Sequence, residues 1–168
     1  MIILVMGLPG SGKSYFASRF AERIHAGYIN SDRIRRQRFP PSSYTEKEKT
    51  AVYDEMLDAM RQAVRQDKDL VLDATFYRDD IRRRFIDEAG GDIVLMEVAA
   101  EEGVIKKRLM QKRTGSDADF EVYKRIKAQW EPLHGHRLIL TSSDHNIEDM
   151  LREAVGYLKL RNDKPAYC

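Results

Sequence analysis

The stretch GLPGSGKS, Gly7 to Ser14, follows an unbroken apolar run, Ile2 to Met6, and leads into SYFASRFAERI. The five-residue run reads as a buried parallel strand. Beyond it, Phe16, Phe20 and Ile24 recur every four residues, the spacing of an amphipathic helix. The loop between them matches G-x-x-x-x-G-K-[ST] at Gly7, Gly12, Lys13 and Ser14. Glycines let such a loop wrap with its N–H groups inward, a nest for anionic oxygens, and the helix that follows adds its positive end. Lys13 can then reach β- and γ-phosphates, and the Ser14 hydroxyl can ligate Mg²⁺. The pattern arises by chance in roughly one chain of this length in a hundred or fewer, and the strand–loop–helix setting strengthens it. The expected nucleotide contacts are Gly7, Pro9, Gly10, Ser11, Gly12, Lys13 and Ser14, with Tyr15 packed beside them.

Outward from this loop, strands and helices alternate. Further strands are expected at Ala26–Asn30, LVLDAT (Leu70 to Thr75), DIVLMEVAA (Asp92 to Ala100) and RLILTSS (Arg137 to Ser143). Between them lie helical stripes. The clearest, Val52, Met56, Ala59, Met60 and Ala63, opens on a T-x-x-E capping box at Thr45 and Glu48. A helix capped by Ser116 is expected to run to Pro132, and another carries Ile147, Leu151, Ala154 and Leu158. Such alternation implies right-handed crossovers and a parallel sheet covered on both faces, with ligands beyond the carboxyl ends of the strands. The loops after Met6, Asn30, Asp73 and Ala100 are therefore the candidate site loops.

The 168 residues are enough for one domain with a real core; 42% are hydrophobic and 33% charged. A net charge of +2 gives no global case for nucleic-acid binding, although the arginines cluster. The single cysteine, Cys168, allows no internal disulfide and suits a reducing, cytoplasmic setting. No signal peptide or membrane span is expected.

The loop alone is shared by GTPases, motors and kinases. N-K-x-D is absent, no expected strand leads into a D-x-x-G switch (Asp87 to Gly90 fits that spacing only at the end of an expected helix), and no strand ends in paired D-E. A small phosphotransferase is the class that survives. Asp32 and Arg35 form D-x-x-R after the second strand. A carboxylate there can accept the proton of an acceptor hydroxyl, and an arginine one turn on can hold an acceptor phosphate. Asp32 as the N-cap of a short basic helix is the plainer alternative. Asp73 ends an apolar strand and can hold a Mg²⁺-bound water; it too has a helix-cap alternative. Glu97 lies well inside its strand and is the weaker metal candidate. Arg33, Arg36 and Arg38 read as a solvated face, and of Arg82, Arg83 and Arg84 at most two can share one helix face.

With GLPGSGKS, the segments NSDRIR, LVLDATFYR and RLMQKRTGSDA resemble small P-loop kinases related to polynucleotide kinase, zeta toxins and chloramphenicol phosphotransferase, over nearly the whole chain. That resemblance implies a three-layer α/β fold like that of nucleoside monophosphate kinases, with strand order 2-3-1-4-5 and a short helical lid near 108–119. The kinase domain is expected over 1–160, with a loose tail at 161–168. The resemblance also implies ATP and Mg²⁺ as cofactors, Asp32 as the acceptor base, and Arg35, Thr75 and Arg78 on the acceptor side. Arg108 and Arg113, with Lys112 beside them, are the expected lid cations. A polynucleotide 5′-hydroxyl is the first acceptor expected, because basic residues cluster in the acceptor-side and lid segments. A small-molecule acceptor (nucleoside, sugar, antibiotic or nucleotide-sugar) comes next. A nucleotide switch without transfer activity is the reading from another class.

Overall fold

The computed structural model describes residues 1–111 and 119–162. Five strands form one parallel sheet: β1 (Ile2–Met6), β2 (Gly27–Asn30), β3 (Leu70–Asp73), β4 (Ile93–Ala99) and β5 (Leu138–Thr141). Their order is β2-β3-β1-β4-β5, as expected. The apolar β1 takes the central place because it is covered on both faces and paired on both edges, Leu4 with Leu72 on one side and with Leu95 on the other.

Side chains alternate across the sheet and define two cores. Ile3 and Val5 face α1 (Lys13–Arg23) and α7 (Ile147–Asn162), packing with Phe16, Phe20, Leu151 and Ala154. Ile2, Leu4 and Met6 face α3 (Glu46–Arg65) and α4 (Asp79–Glu88), packing with Val52, Met56 and Phe85. The stripe read from α3 is therefore its buried face.

Three further helices flank the carboxyl edge of the sheet: α2 (Ser31–Arg38), α5 (Glu102–Met110) and α6 (Phe120–Ala128). Asp119 caps α6, accepting from Val122 N at 2.9 Å; the expected cap, Ser116, lies outside the described residues. The tail expectation needs correction at its start. Arg161 belongs to α7, and its guanidinium donates to the carbonyls of Ile93 and Gly91, tying the helix end to the sheet. No helix among the described residues is long and apolar enough to cross a membrane.

Candidate active site

The loop after β1 owes its shape to glycine. At Gly7 (φ 155°) an added Cβ would lie 2.4 Å from Val98 O, so the backbone passes against β4 only without a side chain. Gly12, in the left-handed region at φ 91°, is the N-cap of α1, and there a Cβ would meet Ser142 Oγ at 2.8 Å. Beside the loop opens a cleft of about 970 Å³, lined on this side by Pro9, Gly10, Gly12, Lys13, Ser14 and Tyr15. Gly7 and Ser11 shape the loop from behind and do not line the cleft. Tyr15 is half exposed, with the Arg19 guanidinium 3.6 Å over its ring.

Asp73 sits at the carboxyl end of β3, fully buried, in register with Asn30 of β2. Its Oδ2 accepts from Tyr28 Oη at 2.8 Å and from Asn30 Nδ2 at 2.5 Å. Asn30 Nδ2 also donates to Ser14 Oγ at 3.4 Å, so Tyr28, Asn30, Ser14 and Asp73 form one network. Oδ1 of Asp73 has no hydrogen-bonding partner among the described residues. Burial pushes the Asp73 carboxyl up, although Lys13, Ser14, Tyr28 and Asn30 all favour its charged form. Burial and the Asp73 charge likewise raise Tyr28. An orphaned carboxylate oxygen beside a serine hydroxyl suits a hard cation, so the residues fit Mg²⁺. Asp73 caps no helix. Glu97 is held by Arg137 Nε at 2.7 Å.

On the far side of the cleft, α2 presents Ser31, Asp32, Arg35 and Arg36. The cap of α2 is Asn30, whose Oδ1 accepts from Arg33 N at 2.9 Å, which removes the cap reading of Asp32. The Asp32 carboxylate instead accepts from Arg35 Nη1 at 2.7 Å. Arg35 is only 8% exposed, its guanidinium lies 4.8 Å from the Tyr44 ring, and its Nε has no hydrogen-bonding partner among the described residues. Lys49, Tyr53, Thr75 and Tyr77 complete this wall.

The basic residues are distributed differently from expectation. Arg78 does not line the cleft; it is turned to Asp80 and lies 3.8 Å from Glu46, because the first turns of α4 and α3 place these carboxylates beside it. Arg82 is buried in the body of the protein. Arg38 pairs with Glu55 at 3.0 Å. Arg108 reaches the cleft, but its Nη1 donates to Ser11 O at 3.2 Å and Ser142 Oγ at 3.1 Å, and its Nε pairs with Asp144. It fastens the phosphate loop to the β5–α7 connection and is not a free lid cation. Arg113 and Lys112 lie outside the described residues. The sequence reading passed over Arg125, which α6 sets on the cleft wall beside Val122 and Ile126. Its i,i+3 spacing from Val122 was the available signal. Lys49 and Tyr77 were also missed; they come from elements that meet only in the folded chain.

A central-strand phosphate loop, a parallel 2-3-1-4-5 sheet and a cleft across its carboxyl edge define the P-loop kinase class of fold. The model of an AAA domain family, AAA_33, matches residues 2–133, and the chain belongs to that family. It is 27% identical to an adenylate kinase of Nautilia profundicola, over 94% of this chain and 96% of that one. Among solved structures, a sugar kinase from Janibacter sp. is similar at a TM-score of 0.74 and 16% identity, covering 94% of both chains. A gluconokinase from Sinorhizobium meliloti is similar at 0.72 and 20%, covering 96% of this chain and 93% of that one. These structures share the fold. The narrower likeness to the polynucleotide kinase and zeta toxin group finds no support among these relatives.

Proposed function

We propose that the protein transfers the γ-phosphate of ATP to a hydroxyl of a small acceptor that also carries an anionic group. The observation that carries this reading is Arg35. A buried guanidinium whose Nε has no partner among the described residues stands in the cleft, bound through Nη1 to the Asp32 carboxylate, a site for a carboxylate or phosphate that would bring a neighbouring hydroxyl to Asp32.

Lys13 and the loop amides hold the phosphate chain. Ser14 and Asp73 would hold Mg²⁺, which when bound offsets phosphate charge. Asp32 orients the acceptor hydroxyl and takes its proton as the oxygen bonds to the γ-phosphorus and the bond to the ADP oxygen breaks. Arg125 supplies positive charge from α6, and Arg108 keeps the phosphate loop in shape.

A small acceptor is favoured over a polynucleotide by the state of the basic residues. A nucleic acid strand needs several uncommitted cations along its backbone. Here Arg38 and Arg78 are paired to carboxylates, Arg82 is buried, and Arg108 is bound to the phosphate loop. Relatives named adenylate kinase and gluconokinase agree with a small acceptor.

The test is transfer from radiolabelled ATP to matched hydroxyl compounds with and without a carboxylate or phosphate, alongside 5′-hydroxyl oligonucleotides. Label is expected on an anionic small compound. Label on the oligonucleotides alone would restore the polynucleotide reading. ATP binding with no transfer to any acceptor would favour the nucleotide switch.

A further inference from the structure

Two walls of the cleft come from distant parts of the chain: the turn Thr75–Tyr77 after β3, and α6. Residues that do not line the cleft join them. Arg82, 1% exposed, donates from Nη1 to Phe76 O at 2.9 Å and from Nη2 to Glu131 O and Pro132 O, each at 3.1 Å. Glu131 N donates to Tyr77 O at 2.9 Å, and Glu131 Oε2 accepts from Asp79 N, the first amide of α4. Four of these hydrogen bonds fasten the segment following α6 to α4 and to the turn, and the fifth, from Arg82 to Phe76 O, ties α4 to the turn.

The turn itself is strained. Phe76 has φ 48°, in the left-handed region that a bulky residue avoids. Both its backbone polar groups are held: its N–H by Tyr53 Oη at 3.4 Å, its carbonyl by Arg82. Its ring is locked between Tyr53 and Phe85. This conformation sets Thr75 and Tyr77 on the cleft wall on either side of a buried Phe76. Burying a guanidinium is costly, and packing alone does not need one here. Its hydrogen bonds join the turn, whose Thr75 and Tyr77 line the cleft, to the segment just after α6, which lies about 50 residues along the chain from Arg82.

We infer that Arg82 and Glu131 are positioning residues that make α6 and the acceptor-side turn respond as one body, so that nucleotide engaging α6 also sets Thr75 and Tyr77 for the acceptor. This rests on the nucleotide-binding reading above.

Amide hydrogen exchange with Mg²⁺ and AMP-PNP tests it. In the native protein, nucleotide is expected to slow exchange about tenfold or more both in α6 and across residues 75–79. In Arg82→Met and in Glu131→Ala the slowing in α6 should persist while that across 75–79 falls below about threefold. Glu131→Gln keeps an oxygen for Asp79 N and should restore it. If Arg82→Met does not fold, Glu131→Ala decides, since Glu131 is exposed and outside both cores. A purely structural role would speed exchange in the free variants but leave the nucleotide-induced ratio across 75–79 as in the native protein; that result overturns the inference. So does a native turn that does not respond to bound nucleotide. Failure of AMP-PNP to bind the native protein, seen by calorimetry, overturns the nucleotide reading and this inference with it.

Discussion

At the residue scale, two neighbouring side chains divide work that the sequence alone left merged. Asn30 caps α2, which leaves the Asp32 carboxylate to Arg35 and the cleft. Asp32→Asn is nearly isosteric but a poor proton acceptor. It is expected to lower turnover by roughly 10²–10⁴-fold with ATP affinity unchanged, read by steady-state kinetics and calorimetry. An unchanged rate would leave Asp32 only as the partner of Arg35. Arg35→Ala removes a charged hydrogen-bonding group and should raise the acceptor KM by about 10–100-fold while ATP binding holds. Gly7→Ala forces a methyl to within 2.4 Å of Val98 O, so the loop must shift. Nucleotide binding should be lost in calorimetry while far-ultraviolet circular dichroism stays native.

At the element scale, the α2–α3 connection is tied to one carboxylate. Glu48 accepts from Ser42 Oγ at 2.8 Å, Ser43 Oγ at 2.6 Å, Ser43 N at 3.0 Å and Tyr44 N at 2.8 Å. Thr45 accepts from Glu48 N, as the capping box requires, but the carboxylate folds back past Thr45 to the residues before it. These bonds, Ser43 first, hold the Glu48 carboxyl down to about 2 from an ordinary value of 4.5. A depressed folded-state value stabilises the protein above the unfolded one and loses that stability as the pH falls. The knot should be indifferent to pH between 7 and 5 and come apart between about 4.5 and about 2. In acid unfolding, native protein and Glu48→Gln should differ at pH 6 and converge below that window. Because the knot carries Tyr44 to Arg35, Glu48→Gln should also raise the acceptor KM without changing nucleotide affinity.

At the scale of the whole molecule, the nucleotide loop, the acceptor wall and α6 come from different parts of one sheet edge. A ligand that binds only the folded chain stabilises it, by about 2.7 kcal/mol at a concentration 100 times its Kd. Mg²⁺ and ATP should therefore raise the melting temperature, and Lys13→Ala should abolish the rise. The commitment of Arg38, Arg78, Arg82 and Arg108 to internal partners gives a second expectation. Fluorescence anisotropy at low salt should detect no tight binding of single-stranded oligonucleotides. Tight binding that weakens steeply with salt would count against the small acceptor.

The nucleotide loop was legible in the sequence because its shape is local. Three glycines, a lysine and a serine encode a backbone nest within eight residues, and apolar periodicity announces the strand and helix on either side. Alternating strands and helices implied a covered parallel sheet, and the family resemblance supplied its order. The fate of the arginines was not legible. A guanidinium acts in a cleft, in an ion pair or in a buried clamp according to what lies within about 3 Å of it. Those partners are far away in sequence: Ser11 and Ser142 for Arg108, Glu131 and Pro132 for Arg82. The sequence by itself determined the glycine-shaped loop on which the proposed phosphate site rests, because that loop depends on backbone geometry over a few residues. Only the tertiary structure decided which charges remain for the acceptor, because pairing a charge depends on side chains that folding alone brings together.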